Sequence, residues 1–186
     1  MPDATPSPTA AGMPDAPPHD LLIAHLRAAN EVGRAAMADG HHPFGALLVG
    51  PDHRTVLMTQ GNVDTVNHAE STLVRRAAEQ YSPDFLWQCA LYTSVEPCCM
   101  CAGTAYWANI GTVVFGMTER DLLSATLDHP ENPTLDLPAD AVFARGQKPV
   151  RLIGPVAEVR DEVLALQRAF WRNRPREAPP AASGQD

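Results

Sequence analysis

Two short stretches limit what this chain can fold into: His68-Ala69-Glu70 and, thirty residues after His68, Cys98 in Pro97-Cys98-Cys99-Met100-Cys101. The imidazole of His68 and the thiolates of Cys98 and Cys101 are good zinc ligands, and three protein ligands leave the fourth tetrahedral position to water. A fold that uses this set must bring two separate segments to one point. Cys98 and Cys101 are i, i+3 in the first turn of a helical stretch, at its positive end, where a thiolate is favoured. His68 opens another helical stretch, with Asn67 expected as its N-cap. Two helix starts would then meet over one cation.

The same residues point to a reaction. Zinc lowers the pKa of bound water from about 15.7 to about 7, which supplies hydroxide for attack on an amidine-like carbon of a base. Glu70 is not needed as a ligand and can carry a proton from the water to the departing nitrogen. A lone C-x-x-C also suits a structural zinc half-site, a redox pair or two buried thiols. A structural site needs a fourth protein ligand. Cys99 points about 100° away from Cys98 on a helix, and Cys89 falls in a strand-like run, so both read as packed thiols.

The chain has 186 residues, which suits one domain with tails. Its formal net charge is −8, and Lys148 is the single lysine. That disfavours a broad nucleic-acid surface, since phosphate contacts come mainly from Lys and Arg; Arg172, Arg174 and Arg176 fall at the trailing end, away from the expected mouth. A tRNA partner is still compatible with a small basic patch. Four cysteines, two of them assigned to metal, do not make a disulfide framework. No apolar run reaches the ~18 residues of a membrane span, and no secretory signal is visible. A cytoplasmic, reducing location with no membrane partner is the expectation.

Residues 1–18 carry six prolines and are expected to be a disordered tail. The zinc-dependent domain is expected over 19–173, and 174–186 as a second disordered tail. His19 to Gly40 reads as a helix capped by Asp20, with His25, Asn30 and Glu31 on its wet side. Phe44 to Gly50 and Arg54 to Gly61 form a hairpin signal, preceded by the tandem His41-His42, read as solvated. Asn62 sits in the turn that follows. Leu86 to Ser94 reads as a buried strand, Thr112 to Gly116 as a central parallel one, Thr118 to Ala125 as a short helix and Thr126 to Pro138 as a loop. Ala141 to Phe143 and Val150 to Ile153 read as edge strands. Val156, Val159, Val163, Leu166 and Phe170 repeat at spacings of 3 and 4, a helix. Strands alternating with helices predict an α/β domain with the sheet in the middle.

These residues resemble the cytidine deaminase-like superfamily over about Asp20 to Trp171, and within it the bacterial guanine deaminases and the tRNA adenosine deaminases. Pro43-Phe44-Gly45-Ala46, Asn62, His68-Ala69-Glu70 and Glu96-Pro97-Cys98-Cys99-Met100-Cys101-Ala102-Gly103 carry the resemblance, and H-x-E followed by P-C-x-x-C is an already described signature of zinc deaminases. The resemblance implies a three-layer α/β/α fold with a five-stranded mixed sheet. It implies one zinc per subunit on His68, Cys98 and Cys101, proton transfer by Glu70, substrate contact at Asn62 and the backbone of Ala69, and a homodimer. Trp107 stands nine residues after Cys98, where guanine deaminases look similar and place an aromatic residue along the base. The run Ile110 to Gly116 looks more like the tRNA group. Guanine deaminases also close the site with an aromatic tail from the partner, and no aromatic residue follows Trp171 here.

The leading expectation is a deaminase of a free nucleobase or nucleoside, an aminopurine such as guanine. The alternatives are a tRNA-specific adenosine deaminase, a cytosine deaminase, and a non-catalytic zinc-stabilised binding subunit, against which Glu70 speaks. Asp121 or Asp128 is expected to accept from an exocyclic amine.

Overall fold

The structure is a computed structural model that describes residues 12–175 apart from Asp128. The tails expected over 1–11 and 176–186, Arg176 and the role expected of Asp128 lie outside the described residues.

In chain order the elements are α1 (His19–Ala38), β1 (Gly45–Val49), β2 (Val56–Gly61), α2 (Ala69–Gln80), α3 (Pro83–Trp87), β3 (Ala90–Val95), α4 (Cys99–Trp107), β4 (Thr112–Met117), α5 (Glu119–Thr126), α6 (Ala139–Phe143), β5 (Arg151–Ile153) and α7 (Ala157–Asn173). One five-stranded sheet runs in the order β2-β1-β3-β4-β5. The hairpin partners β1 and β2 are antiparallel, as are β1 and β3. From β3 the strands run parallel through β4 to β5, joined by helical crossovers. This is the expected five-stranded mixed sheet between helical layers.

Side-chain alternation explains the layers. Ala46 and Leu48 of β1 face one core with Leu91, Val113 and the inner sides of α2, α4 and α6. Leu47 and Val49 face the other, with Tyr92, Val114, α1 and the start of α7. Strands β1, β3 and β4 are buried along their whole length, whereas the edge strand β2 is largely exposed on one side. That is why the inner strands read as unbroken apolar runs. A third cluster of Val95, Met117, Leu122, Val163 and Leu164 seals the carboxyl ends of β3 and β4 under α5 and α7. Ligand sites in α/β sheets form at those carboxyl ends.

Several local expectations are corrected. Leu86 and Trp87 lie in α3 rather than a strand, because Ser82 accepts the Phe85 N–H and Pro83 starts the turn. Ala141 to Phe143 form part of α6, not an edge strand. Asp20 lies inside the first turn of α1, and the N-cap is Pro18. Asn67 is not a cap either: its side chain donates to Asp64 Oδ2, and His68 holds the N-cap position. His25 and Asn30 are buried, since α1 lies flat on β1: a Cβ at Gly45 would run into the α1 backbone at Ala29. The His25 ring packs on Tyr92 and its Nε2 bonds the His53 carbonyl at 2.9 Å. The expected tail also departs at its end. The Gly12 carbonyl accepts from Trp87 Nε1 at 3.2 Å and the Pro14 carbonyl from Arg151 at 2.9 Å, because a proline-rich strand leaves its carbonyls free to accept.

Candidate zinc centre

The two helix starts converge. His68 is the N-cap of α2 and Cys98 the N-cap of α4, both with extended backbones, and Cys101 lies one turn into α4. Ligand atoms of the three residues all lie within 4.8 Å of one another. His68 Nδ1 stands 3.6 Å from each sulfur. Zinc–sulfur bonds near 2.3 Å and a zinc–nitrogen bond near 2.05 Å at a tetrahedral angle give an N···S edge of about 3.6 Å, so both nitrogen–sulfur edges match those of a tetrahedral zinc site. His68 Nε2 donates to the Thr65 carbonyl at 3.2 Å, which turns Nδ1 inward.

Protons and a cation compete for these groups. The Cys98 thiol is pushed down to about 4, first by the hydrogen bond from Cys101 and then by His68. Cys101 is pushed up, because that bond holds its proton, as does burial. His68 is raised to about 9, first by its bond to Cys98. Glu70 is buried at 5% exposure, and burial raises its carboxyl. Its Oε1 accepts from the Thr93 hydroxyl at 2.8 Å and its Oε2 lies 3.5 Å from Cys101 Sγ.

A cavity of 620 Å³ opens over His68 and Cys98, walled by His42, Glu119 and the loop segment 130–135. A narrower recess continues inward past Phe44 to Glu70, Glu96 and Glu119. Glu96 holds the wall in place: its two oxygens accept the backbone N–H of Ala139 at 2.8 Å and of Glu119 at 3.1 Å. The middle of the loop is tied down at Glu131, which takes His42 at 3.3 Å and Arg174 at 2.8 Å.

Residues 21–117, just over half of the chain, match the family described as the cytidine and deoxycytidylate deaminase zinc-binding region. The chain belongs to the cytidine and deoxycytidylate deaminase family. It is a zinc-dependent deaminase of the nucleobase and nucleoside type. It is 33% identical to a probable cytosine deaminase of Schizosaccharomyces pombe, over 80% of this chain and 91% of that one. It is 40% identical to guanine deaminase of Bacillus subtilis, over 46% and 57%. The fold is that of the guanine deaminase from Nitrosomonas europaea, with a TM-score of 0.64 at 21% identity, covering 91% and 94%.

In this deaminase the structure brings His68, Cys98, Cys101 and Glu70 together, as their spacing suggests. Ala69, first residue of α2, is fully buried beside them. Asn62 is buried, donates from Nδ2 to the Asp64 carbonyl at 3.1 Å, and keeps Oδ1 without a partner among the described residues. Trp107 departs from its expected place. It is 81% exposed, at the opposite end of α4 from Cys98, and does not line the cavity, so this chain's own pocket lacks that aromatic wall. Asp121 is committed to the Thr118 capping box and to Arg160. His42 is not solvated but half of the Glu131 tie, with burial holding its imidazole below its ordinary range. Arg174 reaches the cavity wall rather than trailing away from it. Thr93, Glu96, Glu119 and His42 were all missed as site residues. Only Glu96 carried a signal, lying two residues before Cys98.

Proposed function

We propose that this deaminase hydrolyses a free aminopurine base such as guanine and releases ammonia. The observation that carries this reading is the cavity over His68 and Cys98, whose wall bears the carboxyls of Glu119 and Glu131 and no uncommitted cation among the described residues. Such a wall suits a neutral planar heterocycle and repels phosphate. The similarity to guanine deaminase supports it. Similarity to a probable cytosine deaminase along most of its length supports a second reading, a pyrimidine base. A tRNA adenosine substrate is the third, supported by 34% identity to the tRNA-specific adenosine deaminase of Haemophilus influenzae over half of this chain.

A zinc ion, which His68, Cys98 and Cys101 would hold, would supply an acidified water as nucleophile toward the amidine carbon. Glu70 would accept a proton from the attacking water, pass it to the ring nitrogen and then protonate the leaving amine. Thr93 keeps the carboxylate aimed. The balance is one water consumed, one C–N bond broken, one carbonyl formed and one ammonia released. Asn62 and the free N–H of Ala69, at the first turn of α2, hold the base. We read the working unit as a homodimer in a cytoplasmic, reducing setting; no helix among the described residues is long and apolar enough to cross a membrane.

The test is ammonia release from guanine, adenine, cytosine, their nucleosides and a tRNA anticodon hairpin, with metal analysis alongside. Turnover of guanine with about one zinc per chain is expected. Turnover of the hairpin alone, with steep salt dependence, or of cytosine alone would overturn the aminopurine reading.

A further inference from the structure

Glu119 is an unexplained acid. It is only 7% exposed, and among the described residues nothing donates to its carboxyl. Its own backbone N–H is already bound by Glu96. The nearby cations are committed elsewhere: Arg120 to Asp136, Arg160 to Asp121 and Arg174 to Glu131. Capping does not account for it either, because Thr118 and Asp121 close the capping box of α5 themselves. A largely buried carboxyl that finds no protein donor and opens only on a cavity is costly to keep, and groups kept at such a cost cluster at sites where a ligand completes them. Glu119 lines both the main cavity and its inner recess, with His68 and Cys98.

Glu70 and Glu119 thus line one recess beside His68 and Cys98, and the carboxyl of Glu96, the third acid there, is already taken by two backbone N–H groups. Glu70 serves a ring nitrogen that starts as an acceptor and receives a proton. Glu119 needs the opposite: a donor beside the reacting carbon. We propose that Glu119 selects the substrate by accepting the ring N–H that flanks the amidine carbon of a cyclic acylguanidine. Guanine and isocytosine have this grouping, with the reacting carbon between a bare nitrogen and an N–H. Adenine and cytosine do not, since their reacting carbon has a ring carbon on the second side. The inference rests on the base-deaminase reading and narrows it.

The test uses the zinc-loaded full chain as parent, Glu119→Gln and Glu119→Asp. It measures zinc content, Tm, kcat/KM on guanine, isocytosine, adenine and cytosine, and equilibrium binding of the same four bases. Glu119→Gln is expected to keep its zinc and a Tm at or above the parent's. It should lose about 10- to 100-fold in kcat/KM on guanine and isocytosine, mainly through KM, because the amide keeps only one, weaker acceptor oxygen and brings an NH2 donor that opposes the ring N–H. Any activity on adenine and cytosine should not fall, and Glu119→Asp should recover part of the loss. An equal loss on all four bases, no loss on any, or a Tm well below the parent's in both variants would overturn the proposal. If the parent turns over no free base, the deaminase reading of the substrate fails, and binding decides Glu119 separately. At least tenfold tighter binding of guanine or isocytosine to the parent than to Glu119→Gln would support it, and equal binding would overturn it.

Discussion

The Thr93 hydroxyl donates to Glu70 Oε1 at 2.8 Å, although Thr93 lies in β3 and Glu70 in α2. The bond crosses from sheet to helix inside a fully buried site. It fixes the carboxyl that lies 3.5 Å from the sulfur of Cys101, a candidate zinc ligand. Thr93→Val removes the donor while keeping the shape. We expect intact zinc and a kcat lowered by about 10- to 100-fold, the usual cost of losing an orienting partner. Glu70→Gln should also keep zinc and lose about 10² to 10⁴-fold or more. Metal analysis and steady-state rates check both; a Thr93→Val enzyme as fast as its parent would remove Thr93 from the site.

Glu96 ties the metal corner to both ends of the cavity wall. Glu96→Ala leaves the Ala139 and Glu119 N–H groups buried without acceptors, at about 1–3 kcal/mol each. We expect unfolding at lower urea and early proteolytic cleavage between residues 119 and 139. Glu96→Gln retains one acceptor oxygen and should fall between parent and Glu96→Ala. Identical urea midpoints for all three would show that the wall is held by other contacts.

Asp121 is held below the ordinary carboxylate range, first by its hydrogen bond to Arg160 and then by the Thr118 cap. Because its folded pKa lies below the unfolded value near 3.9, the unfolded state binds the proton more readily. The stabilisation is therefore present above about pH 4 and lost as pH falls through the folded pKa. The Tm difference between parent and Asp121→Asn should be widest near neutrality and close on acidification below pH 4. A pH-independent difference would contradict this.

Trp107 stands in the open at the far end of α4. Trp107→Ala is expected to leave KM for a free base within about a factor of 2, as for an exposed substitution. Gel filtration of the same variant reads whether the exposed indole is covered by a second copy. A KM raised tenfold in a variant that elutes as its parent does would restore the indole to the site.

Much of the centre was legible in the chain because zinc accepts few residue types and because helix starts favour thiolates. The Val156-to-Phe170 repeat likewise announces α7, since a long amphipathic helix imposes its own period. Shorter pieces were less legible. Leu86-Trp87 and Ala141 to Phe143 are apolar in the manner of strands, and only the cap residues before them decide for helix.

By itself, the sequence determined the candidate ligand set His68, Cys98 and Cys101, the candidate proton carrier Glu70, the mixed α/β plan and the deaminase chemistry. Each of these rests on residue type and on spacing along the chain. The tertiary structure alone decided which polar groups are buried and what they face. Thr93 on Glu70, Glu96 on Ala139, His42 on Glu131 and Glu119, to which no described residue donates, join residues from 23 to 89 positions apart or depend on burial. The physical reason is that a carboxylate or hydroxyl looks the same in sequence whether water or a cavity surrounds it. Its meaning comes from the desolvation and the donors that packing imposes.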